Sequence, residues 1–383
     1  MAERIYLDYA AATPVDPRVK EAMEPFWSEN FGNPGGLHAE GIIAKKAVQE
    51  ARRKIAREIG ARDDEIIFTA SGTESCNLAI LGAARKYQDR GKHLITSKIE
   101  HHAVLHPFQL LEKEGFKVTY LEVGENGIVN PEDLRKALRP ETTLVSIMHA
   151  NNEIGTIQPI REIGKIIKDY KLRTKNYQLF FHTDACQAAG YLDLNADNLS
   201  VDLMSFSGYK FYGPKGIGFL YKSRKVLLEP PVVGGEQEFG FRPGTEAVPL
   251  IVGMAKALEL SRPSAEENKR LAKLRDYFIE EVLKRVPGAL VNGDLEKRLP
   301  GNANISFKNT DNEELVLRLD AEGIAVATGS ACRRDSTGPS HVILALGREP
   351  EYAKGAIRFT LGRHTAKEEL ERALEVLPKL VLR

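Results

Sequence analysis

The stretch SFSGYKFYGPKGIGFLY, residues 205–221, sets Lys210 between two apolar runs with the length and texture of strands, DLMSFS (202–207) and IGFLYK (217–222). Phe206, Phe211 and Phe219 are its neighbours in sequence, so the stretch predicts an amine set among aromatic rings. Burying an ammonium without a partner costs several kcal/mol or forces it to neutralise. A lysine in this place is therefore expected to use its amine for chemistry.

Upstream, EIIFTA (65–70), HLITS (93–97), KVTYLEV (117–123), TLVSIM (143–148) and QLFFHTD (178–184) have the same apolar texture. Helical patterns lie between most of them, as at 37–59, where Ile43, Val48, Ala51, Ile55 and Ile59 recur near helical spacing and Gly60 ends the run. This alternation predicts an α/β fold with a mainly parallel seven-stranded sheet covered on both faces, its ligands beyond the carboxyl ends of the strands. After SRP (261–263) the texture changes to a charged helix (264–285), ANISF (303–307), a helix near 312–321, a short strand near IAVAT (324–328), IRFTLG (357–362) and a last helix. Those elements predict a smaller α+β domain.

The chain has 383 residues, with 54 Lys+Arg against 53 Asp+Glu, a formal net charge of +1. The length favours two domains over one. The balance gives no electrostatic reason to expect direct nucleic-acid binding or an anionic membrane, so a small substrate is expected. No apolar run is long enough to span a bilayer, and MAERIYLDYAAATP lacks the core of a signal peptide. Three cysteines, Cys76, Cys186 and Cys332, cannot make a disulfide framework in such a chain. A cytoplasmic location is the expectation.

The candidate site residues follow strand ends. SGTESCN (71–77) opens a helix whose free N–H groups suit a phosphate, although Ser71 and Thr73 would also serve as ordinary caps. His101 follows HLITS, and the spacing of His102 and His106 allows a metal pair but has no accompanying carboxylate, which favours ordinary histidines. Asn152 follows TLVSIM; Asp184 ends QLFFHTD, and Gln187 comes just after it. Ser207 and Lys210 follow the next strand. A strand-end acid, a lysine and a phosphate turn together fit pyridoxal 5′-phosphate, whose aldehyde needs a lysine, whose ring nitrogen needs a carboxylate and whose phosphate needs donors.

Ten segments in order carry a resemblance: YLDYAAATPVDPRV (6–19), FGNPGGLHAEG (31–41), SGTESCN (71–77), IEHHAVL (99–105), NNEIGT (151–156), DACQAAG (184–190), SFSGYKFYGPKGIG (205–218), RPGTEAV (242–248), TGSAC (328–332) and IRFTLGRHT (357–365). They resemble the cysteine desulfurases of the iron–sulfur-cluster type, within the class V aminotransferase fold, which is the fold type I of pyridoxal-phosphate enzymes. The resemblance implies conversion of L-cysteine to L-alanine, with the sulfur transferred to an enzyme cysteine as a persulfide. It implies that Lys210 carries the cofactor, that Asp184 pairs with the pyridine nitrogen, and that His101 stacks on the ring and helps move protons. Gln187 is implied at the phenolic oxygen, Asn152 at cofactor or substrate, Thr73 and Ser207 at the phosphate, and Arg358 at the substrate carboxylate. Thr245 is implied to reach the phosphate across the interface of a homodimer. The predicted division is 15–260 for the large domain and 1–14 with 261–383 for the small one, which carries Cys332.

Cys332 is implied as the sulfur acceptor, with no metal held except as an iron–sulfur ligand in a complex. The surrounding TGSACRRDSTGPS, rich in Gly, Ser and Thr, predicts an exposed loop, of the longer of two subgroup lengths. Cys76 and Cys186 read instead as packed thiols. The implied partner is a sulfur-acceptor or iron–sulfur scaffold protein, in cluster assembly or tRNA thiolation. Two departures stand out. Tyr209 occupies the position where the family's S-x-H-K pattern has histidine, which predicts a weaker hold on phosphate. Arg333 and Arg334 follow the cysteine, placed either to favour its thiolate or to meet an acidic partner. A related lyase or aminotransferase, and a scaffold-like protein with weakened cofactor binding, are the alternatives.

Overall fold

Seven of the apolar runs form one sheet, all buried on both faces except the partly exposed edge strand Lys117–Leu121. In chain order the strands among the described residues are β1 (Ile5–Tyr6), β2 (Ile66–Thr69), β3 (His93–Ser97), β4 (Lys117–Leu121), β5 (Thr142–Ser146), β6 (Phe180–Asp184), β7 (Leu203–Ser207), β8 (Gly218–Lys222), β9 (Leu290–Val291), β10 (Asn302–Ser306), β11 (Ile324–Ala325) and β12 (Ala356–Thr360). The computed structural model describes residues 4–329 and 338–382. The large sheet has the order β2-β8-β7-β6-β5-β3-β4. The pairs β7–β6, β6–β5, β5–β3 and β3–β4 are parallel, and β8 runs antiparallel to both β2 and β7.

Alternation along the strands sends neighbouring residues to opposite faces. Val145, Phe181, Met204 and Phe206 join one buried cluster with Val48, Ile55, Ile163 and Met254 from the helices Ala39–Glu58, Ile160–Thr174 and Val248–Leu260. Leu144, Phe180 and Leu203 join another with Leu78 and Phe108 from the helices Gly72–Lys86 and His102–Lys113. Each fully buried side chain of this size contributes about 1.5–3 kcal/mol. The first of these helices stops where Gly60 takes φ +67°, a left-handed conformation that costs glycine little.

A second assembly packs the antiparallel sheet β12-β10-β9 against the helices Ala265–Arg285, Asn312–Ala321 and Lys367–Val381. Ile5 and Leu7 belong to its core, because β1 pairs in parallel with β11. The expected strand at 324–328 shortens to Ile324–Ala325, since its partner β1 is itself only two residues long. Among the described residues no helix is long and apolar enough to cross a membrane.

Candidate active site

The carboxyl ends of the parallel strands open into one pocket. Of the residues singled out in the sequence, Thr73, His101, Asn152, Asp184, Gln187, Ser207, Lys210 and Arg358 line it. Tyr209, Gly72 and Cys186 also contribute, with Met148 and Ala150 as apolar wall.

Lys210 does not lie among the phenylalanines as its sequence neighbours suggest. Phe206 and Phe219 stack at 4.2 Å in the core, and Phe211 is buried with them. The short helical turn Gly208–Lys210 rotates the lysine away from them. Its Nζ donates to the carbonyls of Ala10 at 2.7 Å and Ala11 at 2.9 Å, and lies 4.6 Å from the centre of the Tyr209 ring. The two carbonyls and the aromatic face hold the amine at the pocket wall.

The stretch 8–13 is the part of the site that sequence reasoning missed. Ala10 O also accepts from Gln187 Nε2 at 3.0 Å, and Thr13 donates from both N and Oγ1 to Tyr209 O. Thr13 Oγ1 accepts from the Tyr212 N–H at 2.7 Å, holding Tyr212 at φ +65°. These contacts are made mostly by backbone carbonyls, which leave no signature in residue type. The only signal is the segment's place among the ten motifs.

His101 caps the helix His102–Lys113, its Nδ1 accepting from the Ala103 N–H at 3.0 Å. A neutral ring therefore carries its proton on Nε2. Burial, outweighing the Asp184 carboxylate, holds this imidazole below the usual histidine range. Asp184 is 7% exposed and its Oδ1 accepts from the Cys186 N–H at 3.0 Å. Burial pushes the carboxyl of Glu100, next to His101, up to about 8. The rings of His102 and His106 stack at 4.8 Å. Cys76 is fully buried; Cys186 is half-buried as a residue, its sulfur enclosed beside Gly72 and Ser205. Burial drives both thiols well above their ordinary range, so neither is a ready nucleophile.

The pocket fits pyridoxal phosphate on three observations. Ser207 Oγ is buried without a hydrogen-bond partner among the described residues. It lines the pocket beside the first turn of Gly72–Lys86, a 15-residue helix capped by Ser71. At Gly72 a Cβ would lie 2.6 Å from Cys186 Sγ and 3.2 Å from Ser207 Cβ, so glycine keeps this turn against the strand ends. Asp184, a carboxylate that fits a ring nitrogen, lines the same pocket.

Residues 5–373 match the family described as Aminotransferase class-V. The chain is 52% identical over 382 residues to Cysteine desulfurase IscS of Dictyoglomus turgidum, covering 100% of this chain and 95% of the relative. The chain belongs to the cysteine desulfurases of the class-V aminotransferase family. Another member, Cysteine desulfurase IscS of Methanosarcina thermophila, is 49% identical over 98% of this chain and 92% of its own length. Among solved structures, a NifS-like protein superposes with TM-score 0.92 at 38% identity, covering 99% of this chain and all of its own. A structure of SspA in complex with cysteine gives 0.81 at 38% identity, over 94% and 100%. The desulfurase family is pyridoxal-phosphate-dependent, in keeping with the donor set of the pocket.

One of the predicted residues that the structure describes, Thr245, does not line this pocket. Thr245 is exposed, on a segment whose Gly244 N–H donates to Gln237 Oε1 at 3.1 Å. Cys332, with Arg333 and Arg334, lies outside the described residues.

Proposed function

We propose that this pocket converts L-cysteine to L-alanine and passes the sulfur to Cys332. The observation that carries the reading is the convergence of Lys210, His101, Asp184 and Arg358 on one pocket. Lys210 is the attachment point of the cofactor, Asp184 holds the ring nitrogen, Gln187 the phenolic oxygen, and Thr73 and Ser207 the phosphate. Bound pyridoxal phosphate supplies an electron sink for the substrate α-carbon.

The chain's own groups do the rest. Arg358 binds the substrate carboxylate, assisted by Asn152. Lys210 takes the proton from Cα and returns it, and His101 holds a proton at Nε2 for the leaving and entering groups. The Cys332 thiolate attacks the substrate sulfur, so an S–S bond forms as the Cβ–S bond breaks, and Cβ gains a proton to give the alanine methyl. One L-cysteine and one enzyme thiol thus give one L-alanine and one persulfide. Residues 15–260 and the pair 1–14 with 261–383 act as the large and small domains. The enzyme works in the cytoplasm as a homodimer in which Thr245 completes the phosphate site of the partner, and a sulfur-acceptor or iron–sulfur scaffold protein removes the sulfur.

The test is to mix the cofactor-loaded protein with L-cysteine and measure alanine with and without a thiol reductant. About one equivalent of alanine per active site without reductant, and continuous turnover with it, is expected from this stoichiometry. No alanine in either case contradicts the reading.

A further inference from the structure

Arg358 is 1% exposed, and its guanidinium is already engaged on two sides. Nη1 donates to Asn152 O at 2.9 Å and Nη2 to Asp8 Oδ1 at 2.7 Å, whereas Nε has no partner among the described residues. A buried guanidinium needs a counter-charge, and Asp8 supplies it before any substrate arrives.

The backbone makes this pair stiff. Asp8 bridges Thr360 in parallel, two residues beyond Arg358 on β12, with Thr360 N donating to Leu7 O at 2.7 Å and Tyr9 N to Thr360 O at 3.4 Å. Arg358 exchanges both backbone hydrogen bonds with Ala327. Asp8 O further accepts from the Tyr6 hydroxyl at 3.0 Å. Both partners of the ion pair are thus held by adjacent, hydrogen-bonded segments, and the long arginine arm has little freedom left to lose on binding.

We propose that Asp8 is the positioning residue of the carboxylate subsite. It fixes the Arg358 guanidinium in the pocket wall and leaves its remaining N–H donors for one substrate carboxylate. This rests on the assignment of Arg358 to the substrate carboxylate. Asp8 acts through Arg358 and does not itself touch substrate.

The experiment compares Asp8→Ala, Asp8→Asn and Arg358→Ala in the holoenzyme. It reads KM and kcat for L-cysteine, and the dissociation constant of L-alanine from the visible spectrum of the bound cofactor. Losing one charge-assisted contact predicts that Asp8→Ala raises KM and the alanine constant about tenfold with kcat changed less than about threefold. Asp8→Asn keeps an acceptor oxygen but not the counter-charge, and is expected to fall between wild type and Asp8→Ala. A purely structural role would lower the amount of active enzyme and leave KM unmoved. If Asp8→Ala does not fold, Asp8→Glu, which keeps the charge on a longer arm, is expected to raise KM in its place. Unchanged KM in the Asp8 variant that folds, with KM raised in Arg358→Ala, overturns the role of Asp8 alone. Unchanged KM in Arg358→Ala overturns the carboxylate assignment and the inference with it.

Discussion

Two regions meet at Lys210 and work in different ways. The carboxyl edge of the large sheet contributes side chains, Asp184, His101, Ser207 and the lysine itself, each at or just beyond a strand end. The segment 8–13 contributes mainly carbonyls, from Ala10 and Ala11 to Lys210 and from Ala10 to Gln187. On the proposed function, the sheet edge holds the groups that do the chemistry and the segment holds those groups in place. The comparison teaches that a site can have a chemical half and a positioning half with different tolerance to substitution.

The largest effect belongs to the chemical half. Lys210→Ala should abolish turnover and the visible absorption of the attached cofactor, because Lys215 lies outside the pocket. Retained activity would place the chemistry elsewhere.

The buried groups of the large sheet set the next effect. Burial pushes His93, His149 and His182 down to about 4, so they stay neutral in the folded protein where unfolded histidines begin to charge. Their contribution is complete above about pH 6.5 and is lost as pH falls from there to about 4, by up to roughly 3 kcal/mol each. Glu100 has the opposite sign: its carboxyl, raised to about 8, favours the folded state below about pH 4.5 and loses that contribution as pH rises to about 8. Denaturant titrations should therefore give a stability maximum near pH 6.5. Glu100→Gln should flatten the decline from there to pH 8.

A smaller effect probes the positioning half. Thr13→Val removes the acceptor of the buried Tyr212 N–H and the donor to Tyr209 O, and should cost about 1–3 kcal/mol. Thermal unfolding measures the loss, and activity at low temperature should survive. If activity vanishes while the protein stays folded, the two halves are not separable.

The smallest effect is at Tyr209, whose ring lies under Lys210. Tyr209→His adds a group able to donate to phosphate with positive charge, and should tighten the cofactor about three- to tenfold. Equilibrium dialysis against pyridoxal phosphate reads it.

The seven strands of the large sheet were legible to within about two residues because their apolar runs are largely buried on both faces, as the pattern of β5, β6 and β7 shows, whereas the two-residue strands β1 and β9 carry too little pattern to read. The same principle identified strand-end Asp184 and Ser207 as site residues. It misled at Lys210, where adjacency in sequence to three phenylalanines does not mean adjacency in space. One helical turn sends the rings to the core and the amine to the pocket. The roles of Ala10 and Ala11 were illegible, since any residue type carries the same carbonyl. Asp8 was hidden for another reason, because its partner Arg358 lies 350 residues away along the chain.

The most direct measurement is alanine release from L-cysteine by Cys332→Ser. In the proposed reaction Lys210, His101 and the bound cofactor take up cysteine and move its α-proton, whereas removal of the sulfur requires the Cys332 nucleophile, since burial raises the thiols of Cys76 and Cys186 out of the reactive range. The variant should still change its visible spectrum when L-cysteine is added, yet release little alanine. Alanine output at the wild-type rate would contradict sulfur transfer to Cys332.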